Sequence, residues 1–252
     1  PMANYESENF FDGDWDDKGD IAWNEYDWAR YLKRCDAETV KFRDTYKRLI
    51  TQPDRLDEAA RKMGWDREDW SATIEEEGEE SSDSDDYLLP DFTEMSQEPQ
   101  RPEPSGSEEG DPYSAQRHPV FVVTRSLALD VEMFFMRLIS RPELRIPAGL
   151  AWESASALKS LEMHVGMAVN SLDLGDFALA ICYFKRCFSN LNVLLSATSR
   201  LSEFLPPRLC EPFLEHVNIR LFDLREVWLR VITECREESN HNFGDESPEE
   251  GV

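Results

Sequence analysis

From residue 118 onward, apolar residues recur every three or four positions, the period of a helix that buries one face. Over Pro119 to Arg141 the stripe is Val120, Thr124, Leu127, Val131, Phe134 and Leu138, and the Arg141-Pro142 step ends it, because the residue before a proline is driven out of helical backbone. A second helix, about Gly149 to Leu172, aligns Leu158, Leu161, Val165, Ala168 and Leu172. Gly175 and Asp176 supply a break and an N-cap, and a third helix carries Phe177, Ile181, Phe184, Phe188, Leu191, Leu195 and Thr198, with Pro206 and Pro207 stopping its extension. A fourth spaces Leu214, Val217, Leu221, Leu224, Trp228, Val231 and Cys235 by threes and fours. Four helices with short connections predict an all-α fold in which residues 118–238 form an antiparallel four-helix bundle. Met133, Phe135, Tyr183, Leu194 and Phe222 lie off these seams and are expected to widen the apolar face into a groove or self-association surface.

Residues 22–74 read as a smaller helical module. Residues 22–50 form one long helix, or two hinged near Asp36, with Trp23, Tyr26, Trp28 and Tyr31 interleaved with Arg30, Lys33 and Arg34, and with Phe42, Tyr46 and Leu49 continuing the apolar stripe. Residues 56–77 place Ala60 at a small packing position, Gly64 at a turn and Trp70 where a core residue belongs, and so resemble a helix-turn-helix. Its second helix would carry Asp66, Glu68, Asp69, Glu75, Glu76 and Glu77 against Arg67 alone, which opposes phosphate binding. A hairpin used for packing or protein contact fits better.

Charge separates these segments. The formal net charge is −25, but residues 26–65 hold 7 acids and 10 bases and residues 112–236 hold 13 acids and 14 bases, whereas residues 66–111 hold 18 acids and 2 bases. The acid therefore belongs to an N-terminal tail (1–21), a linker (75–117) and a C-terminal tail (239–252), each without an apolar period. The linker is rich in Pro, Gly, Ser and Glu and is expected to be disordered, with one apolar island at Tyr87, Leu88, Leu89 and Phe92. The bases of residues 26–65, flanked by so much acid, are expected to be neutralised by the protein's own carboxylates or by an acidic partner.

Residues 174–188 read LGDFALAICYFKRCF, with Gly175 at a turn, Ala180 and Phe184 where a following helix packs, and Cys187 in place of a small residue. This stretch resembles the second half of a tetratricopeptide repeat. The preceding helix has Ala168 at the small position but His164 and Ser171 where the family has large aromatics, and no second copy lies one period away. The resemblance implies a peptide-binding scaffold and no chemistry; a helical hairpin with the same packing logic accounts for the spacing.

No residues are arranged for catalysis in the sequence. Of the four histidines, at 118, 164, 216 and 241, His164 and His216 have their nearby acids Glu162 and Glu215 two and one residues away, on other helix faces and not at the spacing of a bundle di-iron site, and no phosphate-cradling loop, GxSxG or HExxH occurs. No cofactor or metal is expected. Five cysteines without a CxxC pair, and no signal-peptide core after the acidic N-terminus, predict a reducing location, cytoplasmic or nuclear, with Cys182 and Cys187 as core thiols. No apolar run approaches the roughly 20 residues of a membrane span.

These readings predict a non-enzymatic adaptor or regulatory protein that binds another protein, with a basic partner, a larger complex and a homo-oligomer through the bundle as candidates. Large aromatics beside charge are interface anchors, and the candidate binding residues are Phe10, Phe11, Trp15, Trp23, Tyr26, Trp28, Tyr31, Arg30, Lys33, Arg34, Tyr87, Leu88, Leu89 and Phe92. The alternatives are a nucleic-acid-associated regulator using residues 26–65 and, with less support, a metal-dependent bundle enzyme.

Overall fold

A computed structural model describes residues 23–65 and 114–244. Phe10, Phe11, Trp15, the island Tyr87–Phe92 and the second half of the helix-turn-helix resemblance, with Trp70, lie outside the described residues. The fold is all-α: α1 (Glu25–Arg48), α2 (Arg55–Met63), α3 (Pro119–Ile139), α4 (Ala148–Asp173), α5 (Phe177–Ser202) and α6 (Pro207–Gly244), with one 3-10 turn at Pro142–Leu144.

Local chemistry sets the boundaries. Asn24 caps α1: its Oδ1 accepts from the amides of Tyr26 and Asp27 at 2.8 and 3.1 Å, while Asp27 Oδ2 accepts from the Asn24 amide at 3.2 Å. Gly64 ends α2 at φ 83°, a left-handed conformation that only glycine adopts without strain. Gly175, at φ 71°, turns the chain between α4 and α5, and Asp176 Oδ1 caps α5 by accepting from the Leu179 amide at 2.9 Å. Pro207 opens α6 at the first helical position, where its missing amide hydrogen costs nothing. The proline pair thus both ends one helix region and starts the next. α1 is a single helix with no hinge at Asp36, and α6 continues past residue 238 to Gly244.

Helices α3 to α6 form a ring in which each touches its chain neighbours and α6 returns to α3. Most of the predicted seam residues are buried, while Phe134, Phe177, Ile181, Phe188, Leu195 and Leu214 are only partly covered; Trp228 is fully buried, its Nε1 donating to Thr124 Oγ1 at 3.1 Å and its ring edge-on to Phe188 at 5.7 Å. Phe135 and Leu194 are also buried, so they belong to the core and not to a groove; Met133 and Phe222 stay exposed. Cys187 is buried and burial pushes its thiol up to about 12, whereas Cys182 is exposed and is not a core thiol. In the hairpin of α4 and α5, Ala168, Ala180 and Phe184 pack as the repeat resemblance implies.

The N-terminal module is seated on this bundle. α1 packs along α3, and Tyr31, Phe42, Tyr46 and Leu49 join the same core as the bundle seams or its margin. Ser126 Oγ on α3 donates to the Thr39 carbonyl on α1 at 2.8 Å, and Tyr31 hydrogen-bonds Ser114 at 2.8 Å, so the last residues of the expected linker lie against α1. Replacing Trp228 with Ala is expected to cost about 3–5 kcal/mol of unfolding free energy in urea titration; a loss below about 1 kcal/mol would show that the ring is not packed as described.

Candidate functional site

Two regions of the described residues combine unusual chemistry with accessibility: a charge cluster where four helices meet, and the outer face of the start of α1.

The cluster is built on two buried acids. Asp130 interrupts the apolar stripe of α3, and Asp223 sits one turn from Arg220 on α6. Asp130 accepts from Lys47 Nζ of α1 at 2.6 Å and Arg220 Nε at 2.5 Å, with His216 Nε2 at 3.6 Å. Asp223 accepts from the Tyr46 hydroxyl at 2.5 Å and from Arg55 of α2 through both oxygens, at 2.5 and 2.7 Å. The Arg220 guanidinium lies 5.8 Å from the Tyr46 ring centre and joins the two groups. Neither Asp130 nor Asp223 belongs to the predicted seams; the structure buries both, each matched by a base from the module. The expectation that the module's bases meet the protein's own acids holds for Lys47 and Arg55, and α2 is further tied to α6 by Asp57 and Arg230 at 2.5 Å.

These contacts fix the protonation states. Burial pushes the Asp130 carboxyl up, but the hydrogen bond from Lys47 and the charge and hydrogen bond of Arg220 outweigh it and hold it below its ordinary value. Burial, and next the charge of Asp223, raises the Tyr46 hydroxyl, so it stays a donor. Burial followed by the Arg220 charge lowers His216 to about 4. A cavity of about 180 Å³ opens beside the cluster, lined by Lys47, Asp130, Met133, Phe134, Arg137 and His216, with the Phe134 ring stacked on the imidazole at 4.4 Å. Its lining contains no hydroxyl or thiol, and its carboxylate is already paired with two cations, which hold the helices together. Among the described residues no three His, Cys, Asp or Glu side chains are grouped to hold a metal ion, and no helix is long and apolar enough to cross a membrane.

The start of α1 is the second region. Trp23, Trp28 and Tyr31 pack edge to face, with ring centres 5.2 to 5.8 Å apart. Tyr31 is buried at the base of this group and bonded to Ser114, so it supports the surface and does not offer itself to a partner, a correction to its place among the binding candidates. Tyr26 (60% exposed), Trp28 (41%) and Leu32 (41%) face outward among exposed Arg30, Lys33 and Arg34, the last over the Tyr31 ring at 5.9 Å. Of the predicted aromatics of α1, Tyr26 and Trp28 are exposed; Leu32, exposed beside them, was not among the candidates because a lone leucine beside basic residues carries no periodic signal.

Two expectations follow. Asp223→Asn, which leaves Arg55 and Tyr46 without their carboxylate, should lower stability by about 3 kcal/mol in urea titration, while Asp57→Asn in the exposed pair should cost less than about 1 kcal/mol; equal effects would refute the distinction. The second concerns acid. His118 caps α3 through Nδ1, which accepts from the Val120 amide at 3.2 Å, and burial lowers it to about 4, like His216. Because the unfolded chain binds protons first, near the ordinary histidine value of about 6.5, stability is full above that pH and falls as pH drops toward 4, by on the order of 3 kcal/mol for His118. A urea midpoint that stays constant between neutral pH and the folded value would contradict it.

Set beside protein-family models, curated proteins and solved structures, this chain matches none of them.

Proposed function

We propose that the protein is an intracellular, non-enzymatic interaction or adaptor protein that presents the start of α1 to a partner protein. The observation that carries this is the exposure of Tyr26, Trp28 and Leu32 at the start of a helix that Tyr31, Cys35, Thr39, Phe42 and Tyr46 lock into the core. Anchors held rigid before binding lose little entropy on docking, and large aromatics at the centre of a contact carry most of its energy. Arg30 and Lys33 make no ion pair among the described residues. A partner that places apolar side chains on Trp28 and carboxylates beside Arg30 and Lys33 is the best chemical fit, in place of the basic partner considered from the tail composition.

The nucleic-acid reading draws less support, because Lys47, Arg55, Arg61 and Arg43 are engaged with carboxylates. The test compares affinity purifications from the native cell extract using the full chain and its Tyr26→Ala/Trp28→Ala variant. A protein retained by the first should be lost at least tenfold by the second, since anchor truncations cost about 2 kcal/mol or more. Identical recovery by both, or tight salt-sensitive binding of a DNA or RNA probe by the full chain, would overturn the proposal.

A further inference from the structure

α4 buries one face in the bundle and leaves a second apolar stripe on the opposite face. Trp152 is 75% exposed, Met163 51%, Met167 42% and Leu174 84%, whereas Leu150, Ala157, Leu161, Val165, Ala168 and Leu172 across the helix are buried. Helical packing against α3 and α5 accounts for the second set and leaves the first with no apolar contact to explain it. Single exposed leucines are ordinary; three large apolar side chains in one line on α4, continued by Leu174 at its C-cap, are not.

The spacing of the stripe names what can cover it. Trp152, Met163 and Leu174 are separated by two steps of eleven residues. Eleven residues overshoot three full turns by only about 20°, so the three side chains stay within about 40° of one line along the helix and a slight right-handed winding keeps them on a partner helix. Trp152 and Leu174 are also equidistant from Met163. In an antiparallel pair with a two-fold axis at Met163, Trp152 meets Leu174 of the other copy, Ser156 meets Asn170, the aliphatic stem of Lys159 meets Met167, and Met163 meets itself. A two-fold contact requires one patch that complements its own rotated image, which this stripe satisfies.

Charge does not oppose the pairing. Lys159 is the charged side chain within the stripe, and it is neutralised on its own helix and on α3 by Glu162 at 3.4 Å and Glu132 at 3.0 Å. The antiparallel arrangement also sets the two helix dipoles head to tail. We propose that the outer face of α4 is a homodimer interface in which two copies of this chain pair antiparallel about Met163. The stripe spans about 33 Å at 1.5 Å per residue and is one helix wide, so the contact is at the small end of stable interfaces and the dimer is weak and concentration-dependent. The pairing rests on α4 alone, on the far side of the fold's chemistry from α1, and it stands or falls independently of the partner proposed for α1.

The test uses the full chain with Cys182→Ser and Cys210→Ser, which removes the two cysteines that are not buried. Sedimentation equilibrium should show a monomer–dimer equilibrium across the micromolar range, and Met163→Glu should shift it to monomer while leaving the helical circular dichroism unchanged. Cross-linking then reads the register. Helices 8–10 Å apart bring facing Cα atoms to about 4–6 Å, within the reach of a disulfide. Met163→Cys should therefore form a linked dimer with itself on air oxidation, whereas Trp152→Cys should link only when mixed with Leu174→Cys. A monomer at every concentration, with the stripe then left to a different protein or to another part of the chain, would overturn the proposal. So would a dimer that survives Met163→Glu, or a Trp152→Cys chain that links to itself as readily as to Leu174→Cys.

Discussion

The seating of the N-terminal helices on the bundle depends on two buried carboxylates. Asp130 and Asp223 are almost inaccessible, and each would be strongly penalised if left unpaired away from water. Lys47 and Arg55 come from α1 and α2, while Arg220 comes from α6, so Asp223 finds its Arg55, and Asp130 its second cation, only when the module and the bundle are correctly joined. A hydrophobic seam tolerates some sliding along its length. A bidentate guanidinium on a carboxylate does not, because moving one helix by a residue breaks both hydrogen bonds at once. The ion pairs thus set the register of a contact whose area is supplied by Phe42, Tyr46, Leu56 and Ala59 against the bundle.

This division of labour explains what could be read from the chain and what could not. The seams of α3 to α6 were legible because burial of one helix face writes a period of three and four into the sequence. The buried acids were not, because one aspartate in an apolar stripe looks like a break in it, and its cations lie far away along the chain. Asp130 is 90 residues from Arg220 and Asp223 is 168 from Arg55. Cys182 and Cys187 differ for a similar reason: five residues apart on a helix, they occupy different faces, and only the packing of α4 on α5 decides which is inside. Tyr31 looked like its neighbours Tyr26 and Trp28 in composition, but it falls on the side of α1 that continues through Cys35, Thr39 and Phe42 into the core.

The same geometry accounts for why the outer surfaces are the places to look for function. The buried carboxylates of the interior are satisfied by neighbouring cations, and Lys47 and Asp130 at the cavity hold α1, α3 and α6 together. What remains uncommitted is apolar and outward: the aromatic end of α1 and the stripe on α4. The two differ in character. The α1 surface mixes rings with Arg30 and Lys33, which suits a contact whose specificity comes from charge, whereas the α4 stripe is almost uncharged, which suits a contact with itself.

Charge makes the last connection. A net charge of −25 suggests a molecule that repels every acidic surface, yet residues 26–65 and 112–236 carry +3 and +1. At physiological salt, charges more than about 8 Å apart are largely screened. A partner docked at Trp28 therefore responds to Arg30, Lys33 and Arg34 within that radius and little to the total. The sign of the surface that meets the partner is opposite to the sign of the protein, because the acids that dominate the sum lie in other segments, and because Asp130 and Asp223 spend their charge inside the fold.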